Sequence, residues 1–221
     1  MPTKLSTAIV GPRSKSNLKE GTGSALKSAE LGRVLFYGIG RKRNLRVAFP
    51  LLLQAARAGY VHWEYLVAYA YDHALGVRRD FSKARYWYAQ AGQRGHTGAL
   101  FNLALMYDLG RGVKRNPRQA FRLYRKGATE GDSAAQCNLG IAYLEGSGTR
   151  KSQSEGIRWL RKAARQGDSK AEYNLGTAYL DGVSVKRNVR SGLQWLRRSA
   201  RKGNKKAAGL LKSQVVRRVP R

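Results

Sequence analysis

The sequence predicts an all-α solenoid in which five helix-turn-helix repeats of 36 residues are stacked and closed by a C-terminal capping helix. The first observation is a glycine that recurs at this constant interval, at Gly59, Gly95, Gly131, Gly167 and Gly203. The second is that every interval contains two short amphipathic segments around a glycine-containing loop. The third is that similar residues recur at equivalent positions of the five intervals. Such a fixed step is typical of helical-repeat proteins.

The first segment of each repeat has residues suited to a core four positions apart, which places them on one face of a helix. The two rows are Leu31, Val67, Leu103, Leu139 and Leu175, then Leu35, Tyr71, Tyr107, Tyr143 and Tyr179. We expect this face to pack against a neighbouring helix. Two of these segments open with a pattern typical of a capping box, Ser133-x-x-Gln136 and Ser169-x-x-Glu172.

The second segment begins after the loop at a residue suited to cap a helix. The cap position holds Asn44, Asp80, Asn116, Ser152 and Asn188. Small residues follow in register at Ala48, Ala84, Ala120, Gly156 and Gly192, and large ones at Leu51, Trp87, Leu123, Trp159 and Trp195. This alternation predicts helices that approach closely, with bulky side chains filling the space between them.

The closing glycines divide the chain into parts. Residues 1–23 form a basic arm that we expect to be flexible, although its composition does not exclude an organelle-targeting peptide. The solenoid covers residues 24–215, with repeats 24–59, 60–95, 96–131, 132–167 and 168–203 and a capping helix at 204–215. Residues 216–221 form a basic tail that we expect to fray.

The chain is strongly basic, with 43 Lys and Arg against 13 Asp and Glu and a formal net charge of +30. Such a charge attracts nucleic acid, anionic membrane or acidic protein. No apolar run is long enough to cross a membrane, so we expect no integral membrane contact. The single cysteine, Cys137, excludes an intramolecular disulfide and favours a reducing compartment.

A basic pair precedes the helix cap in every loop, and these pairs are the first candidate partner-binding site. Their ten members are Lys42, Arg43, Arg78, Arg79, Lys114, Arg115, Arg150, Lys151, Lys186 and Arg187. Stacked repeats would arrange them as a ladder along one edge, suited to an elongated anion. The alternative is that they only solvate the loops of a basic protein.

Asparagines next to the core leucines of the first segments, Asn102, Asn138 and Asn174, are the second candidate set. They are equally suited to bind a partner's backbone or to hydrogen-bond a neighbouring helix. A further basic set lies on the second segments and includes Arg125, Arg161 and Arg197. We interpret that set as solvation of the outer helix surface and as a complement to the helix dipole.

Chemistry is not indicated by the sequence. His62, His73 and His96 have no metal-ligand spacing with each other or with Cys137. The Gly-x-Gly loops follow helices, whereas phosphate-binding loops of that kind follow strands. We therefore predict no catalytic residue, no metal and no cofactor.

The repeat resembles the Sel-one-like repeat (SLR), a relative of the tetratricopeptide repeat. The resemblance rests on Ala-x-x-x-Leu-Gly-x-x-Tyr-x-x-Gly-x-Gly, read from Ala135 to Gly148, followed by Ala163, Ala164 and Gly167. It covers residues 25–215 and implies a right-handed superhelix with first helices on the concave face. It also implies a scaffold or adaptor, often in bacteria. The cysteine pairs of some secreted bacterial relatives are missing here.

We therefore predict a monomeric, non-enzymatic interaction module of the bacterial cytoplasm. The concave groove and the basic loops would together bind an acidic protein. The alternative is a sequence-nonspecific nucleic-acid-binding protein that uses the basic loops.

Overall fold

The computed structural model describes residues 22–216 and, for side chains, residues 26–213. Within this range the chain forms eleven α-helices and no strand. Of the predicted flexible arm (residues 1–23) and the predicted frayed tail (residues 216–221), residues 1–21 and 217–221 lie outside the described residues, whereas residues 22, 23 and 216 belong to helices. The helices are α1 Thr22–Tyr37, α2 Leu45–Arg57, α3 Val61–His73, α4 Phe81–Gln93, α5 Thr97–Leu109, α6 Pro117–Thr129, α7 Ser133–Glu145, α8 Gln153–Arg165, α9 Ser169–Asp181, α10 Val189–Arg201 and α11 Lys205–Val216.

The helices contact one another in chain order. Each odd-numbered helix from α1 to α9 packs on the even-numbered helix that follows, and that second helix packs on the first helix of the next repeat. Helix α11 packs on α10, where Ala207 is buried beside Leu196. The predicted all-α solenoid and its capping helix are therefore confirmed.

The predicted N-caps of all five second helices are confirmed. Asn44, for example, accepts a hydrogen bond from the Val47 amide at 3.2 Å, and Asp80 accepts one from the Lys83 amide at 2.9 Å. Asn116, Ser152 and Asn188 cap α6, α8 and α10 in the same way. Because each cap fixes the first turn, the loop in front of it always ends at the same point of the repeat.

The two predicted capping boxes are wrong by one residue. The caps of α7 and α9 are Asp132 and Asp168, whose carboxylates accept hydrogen bonds from backbone amides at 2.7 Å. Aspartate accepts such a bond at least as well as the serine that follows it. Gln136 and Glu172 are consequently released from capping, and both side chains are buried.

Gln136, Glu172 and the equivalent residue of the second repeat, Glu64, take part in contacts between neighbouring repeats. Arg94 at the end of α4 donates hydrogen bonds to the Gly59 carbonyl oxygen at 2.8 Å and to the buried Glu64 carboxylate at 3.0 Å. We call this arrangement the inter-repeat clasp. It recurs as Gln166 with Gly131 and Gln136, and as Lys202 with Gly167 and Glu172.

The core lies between the two helices of each repeat and between consecutive repeats. The small positions of the second helices are buried, as predicted, and the leucines of the first helices pack over them. Leu31 is the exception among the predicted first-helix leucines, since its side chain is 40% exposed. No described helix precedes α1, so this position lacks the second helix that covers Leu139 and Leu175.

Candidate partner-binding surfaces

The ten basic loop residues, which we call the loop edge, are all exposed. In repeats two and four the loop touches the start of the preceding second helix. A Cβ atom at Gly76 would lie 2.0 Å from the Leu45 carbonyl oxygen, and one at Gly148 would lie 2.1 Å from the Pro117 carbonyl oxygen. In these repeats the glycine therefore lets the loop lie against the start of the preceding second helix. This contact brings the basic pairs of neighbouring repeats side by side.

In three of the five basic pairs the two members differ in their contacts. The Nε atoms of Arg43, Arg115 and Arg187 donate hydrogen bonds of 2.9–3.0 Å to carbonyl oxygens near the end of the first helix. These three arginines thus have a structural role that the sequence did not reveal. The first members make no hydrogen bond or ion pair to any described residue, and they are Lys42, Arg78, Lys114, Arg150 and Lys186.

An open groove of about 600 Å³ lies between the first two loops. Three arginines line it, Arg43 and Arg46 from the first repeat and Arg78 from the second. Guanidinium groups bind carboxylates and phosphates through parallel hydrogen bonds. The loop edge therefore offers at least one place where cations from two repeats surround the same space.

The three asparagines are half-buried but differ in their surroundings. The Asn138 side-chain oxygen accepts a hydrogen bond from Lys170 Nζ at 2.8 Å, which orients the amide and leaves its NH₂ group able to donate to a partner. Asn102 instead lies beside the Tyr65 and Tyr88 hydroxyls. Asn174 has no side-chain hydrogen bond to a described residue.

A second groove, of about 370 Å³, joins both candidate sets between the third and fourth repeats. Arg115 of the loop edge lines it together with Asn138. Tyr124 and Ile141 supply apolar surface, and the acidic residues at its rim are Asp108 and Glu145. A single segment of a partner lying in this groove would contact a basic loop and an oriented amide.

Three of the five first helices carry no positive charge. α3, α5 and α7 contain no Lys or Arg, and exposed acids stand at the ends of α7 and α9, at Glu145 and Asp181. Positive charge is concentrated on the loop edge and on the second helices. The face formed by the first helices is therefore not complementary to an acidic partner along its whole length.

An aromatic and histidine cluster lies on the second and third repeats. Tyr65 stacks on His96 with ring centres 4.3 Å apart, and Tyr69 stacks on His73 at 4.0 Å. Burial raises the pKa of Tyr65 to about 12 and lowers the pKa of His96 to about 4. Tyr65 belongs to the second repeat and His96 to the third, so their contact is not evident from their positions in the sequence.

His96 also caps α5, because its Nδ1 accepts a hydrogen bond from the Ala99 amide at 3.2 Å. The equivalent residues of the following repeats, Asp132 and Asp168, indicate this role.

Cys137 is buried, and that burial raises the pKa of its thiol. Among residues 22–216, no group of three His, Cys, Asp or Glu is placed to hold a metal ion. None of the described helices has the length and apolar character of a membrane span.

Comparisons with known proteins identify the repeat. The sequence profile of the Sel1 repeat matches residues 29–60, 64–96, 97–132, 133–168 and 169–204, one match for each repeat. No curated protein matches the sequence. Among solved structures, the chain is similar to a Sel1 repeat protein from Oxalobacter formigenes, with 27% identity and a TM-score of 0.79. That similarity covers 86% of this chain and 78% of the other.

Two other solved structures extend the comparison. A protective antigen of uropathogenic Escherichia coli that displays an SLR fold is 30% identical with a TM-score of 0.74, over 84% of this chain and 40% of the antigen. This chain thus spans less than half of that protein. An immunity protein from Pseudomonas aeruginosa is 22% identical with a TM-score of 0.57, over 87% of this chain and 70% of the other. That third similarity shows the fold alone.

Proposed function

The chain belongs to the Sel1 repeat family, and we propose that it is a scaffold that binds a protein segment between its first helices and its loop edge. Sel1 repeat proteins generally mediate protein–protein interactions, and the family is typically non-enzymatic. The groove between the third and fourth repeats supports this proposal, because Asn138 and Arg115 line it together. An extended segment in that groove would receive a hydrogen bond from the Asn138 amide.

The loop edge and the first helices differ in charge, so they suit different parts of a partner. The first members of the basic pairs are exposed and unpaired among described residues, so they favour acidic side chains of the partner. The first helices, by contrast, offer amides, aromatic rings and a few acids. We propose that the partner segment is acidic along the side that faces the loops and neutral where it meets the first helices.

The test is capture of a partner by the full chain from a nuclease-treated extract, followed by cross-linking to locate the bound segment. In the edge variant, Arg78→Gln, Lys114→Gln and Arg150→Gln remove the first basic residue of the loop pair in repeats two, three and four. We expect affinity for the captured protein to fall about tenfold, since an exposed ion pair contributes on the order of 0.5 kcal/mol. Asn138→Ala should weaken binding about fivefold, which corresponds to about 1 kcal/mol for one hydrogen bond.

A matched control keeps the net charge of the edge variant but changes another surface. Arg125→Gln, Arg161→Gln and Arg197→Gln remove three charges from the second helices and should leave this affinity unchanged within about twofold. Capture that disappears after nuclease treatment would contradict the proposal. So would a captured protein that binds the edge variant and Asn138→Ala as well as it binds the original chain.

A further inference from the structure

The second helices carry their positive charge unevenly along the solenoid. α6, α8 and α10 each contain four Lys or Arg, whereas α2 and α4 each contain two. The contrast is sharpest in two neighbouring rows, which we call the basic face: Arg125, Arg161 and Arg197, then Lys126, Lys162 and Arg198. At the same two positions the first two repeats have Leu53, Gln54, Ala89 and Gln90.

Solvation of the helix surface does not require this charge. The first two repeats place neutral residues at the same positions, and Gln54 is exposed there. Attraction of cations to the C-terminal end of a helix is also insufficient, because α4 ends without a basic residue in its last turn. In repeats three to five all six of these positions are basic, whereas in the first two repeats none of the four is. The charge is therefore a property specific to repeats three to five.

The basic face is largely unneutralised. Each of its six side chains is exposed. Arg125 and Arg197 make no side-chain hydrogen bond or ion pair with a described residue, and Arg161 donates only to the Tyr179 hydroxyl, at 3.1 Å. Arg198 alone contacts an acid, the buried Glu172, at 3.2 Å. Solvent and an external anion thus have access to most of this charge.

Tryptophan rings support two of the cations. Lys162 Nζ lies 4.4 Å from the centre of the Trp159 ring, and the Arg198 guanidinium lies 4.7 Å from that of Trp195. Such contacts favour a cation that stays on the helix surface over one that swings freely. The face is therefore a regular array, because it is built from helices of equal length related by the repeat.

An apolar anchor is missing from this face, which distinguishes nucleic acid from an acidic protein as the partner. Protein interfaces have a core depleted in charge and enriched in aromatic side chains. Among the side chains described, no large exposed hydrophobic residue lies on α6, α8 or α10. A phosphate backbone requires only positioned cations, preferably arginines, and it is bound without base specificity. The absence of exposed aromatic rings from these helices also disfavours single strands, which stack their bases on such rings.

We propose that the basic face of repeats three to five binds the phosphate backbone of a nucleic-acid duplex. This interaction lies on the second helices, so it is independent of the protein-binding scaffold proposed above. It differs from nucleic-acid binding through the loops, which the sequence suggested as an alternative.

The test is fluorescence anisotropy of the full chain with a labelled DNA duplex and a labelled RNA duplex of arbitrary sequence, at a series of salt concentrations. In the face variant, Arg125→Gln, Arg161→Gln and Arg197→Gln remove one row. We expect it to bind at least tenfold more weakly at about 100 mM salt. The slope of log affinity against log salt should be shallower by about 2–3, since each lost phosphate contact reduces it by about 0.9.

The edge variant is the control, because it also loses three charges, and it should bind the duplex within about twofold of the original chain. Circular dichroism checks that both variants keep their helices. An equal loss in both variants would overturn the proposal, since attraction would then follow net charge alone. Unchanged binding by the face variant would overturn it as well. Binding of polyglutamate, but of neither duplex, through the basic face would replace it with an acidic protein partner.

Discussion

Repeats two and three differ from repeats four and five in the residues that pack between the first and the second helix. In the former pair, the first helix has an aspartate and the second helix a tyrosine at equivalent positions, and in the third repeat the Tyr124 hydroxyl donates a hydrogen bond to Asp108 at 3.4 Å. In the latter pair both positions are leucine. The residues at these two positions are Asp72 and Tyr88 in repeat two, Asp108 and Tyr124 in repeat three, and Leu144, Leu160, Leu180 and Leu196 in repeats four and five. The buried Tyr88 hydroxyl has no hydrogen-bond partner among the described residues.

The small position on the second helix changes together with this pair. It is alanine in repeats two and three, at Ala84 and Ala120, and glycine in repeats four and five, at Gly156 and Gly192. A Cβ atom on Gly156 would lie 2.6 Å from Leu144 Cγ, so the leucine fills the space that the glycine leaves. One repeat frame thus accepts two internally consistent cores. It also carries different surfaces, histidine and aromatic at one end and basic at the other.

The largest expected effect compares the inter-repeat clasps of the two halves. Glu64 in the second repeat is 2% exposed and has one cation, Arg94, whereas Glu172 in the fifth is fully buried and has two, Arg198 and Lys202. Arg94→Ala leaves a buried carboxylate unpaired and should lower the free energy of unfolding by about 2–3 kcal/mol. Lys202→Ala leaves Arg198 in place and should cost less than about 1 kcal/mol. Urea unfolding followed by helical circular dichroism measures both.

A second substitution checks the cause. The third repeat has Leu100 and Glu130 where the second has Glu64 and Arg94, so the frame already accepts an apolar residue there. Glu64→Leu combined with Arg94→Ala should therefore recover most of the lost stability. If Lys202→Ala were as costly as Arg94→Ala, Arg198 would not compensate for the loss of Lys202. The contrast between the two clasps would then be incorrect.

The next effect concerns the two cores. Gly156→Ala introduces a methyl group 2.6 Å from the Leu144 side chain and 2.9 Å from the Gly140 carbonyl oxygen. We expect a loss of about 2 kcal/mol in the free energy of unfolding, typical of overpacking. The control is Gly209→Ala in α11, where a Cβ atom meets nothing within 4 Å and alanine should stabilise the helix by about 0.5–1 kcal/mol. A Gly156→Ala protein as stable as the control would show that the helices can separate without cost.

The fold was predictable from sequence because its signals are local and repeated. Asn44 and its counterparts identify the start of every second helix, and a five-fold recurrence cannot be mistaken for chance. The clasp was not predictable, because the serine next to Asp168 also suits a cap and so gave Glu172 a different role. The surfaces were predicted in part. The loop edge follows from spacing, but only the structure shows that Arg115 supports a helix end while Lys114 does not.

The smallest expected effect is a difference in how the helix caps of the two halves respond to pH. α5 is capped by His96, whereas α7 and α9 are capped by aspartates. Burial, with a contribution from His62, lowers the pKa of folded His96 to about 4, below its value of about 6.5 in an unfolded chain. The unfolded state therefore binds the additional proton first as pH falls.

The stability that neutral His96 provides is complete above about pH 6.5 and is lost as pH falls toward the folded pKa of about 4. We expect the free energy of unfolding to decrease by on the order of 1 kcal/mol between about pH 7 and pH 5, since the side chain is only partly buried. His96→Asn should remove that decrease and keep the cap, because Asn204 caps α11 at the equivalent position. A pH dependence that persists in His96→Asn would assign the titration to another group, and His62, whose pKa is also lowered by burial, would be the next to replace.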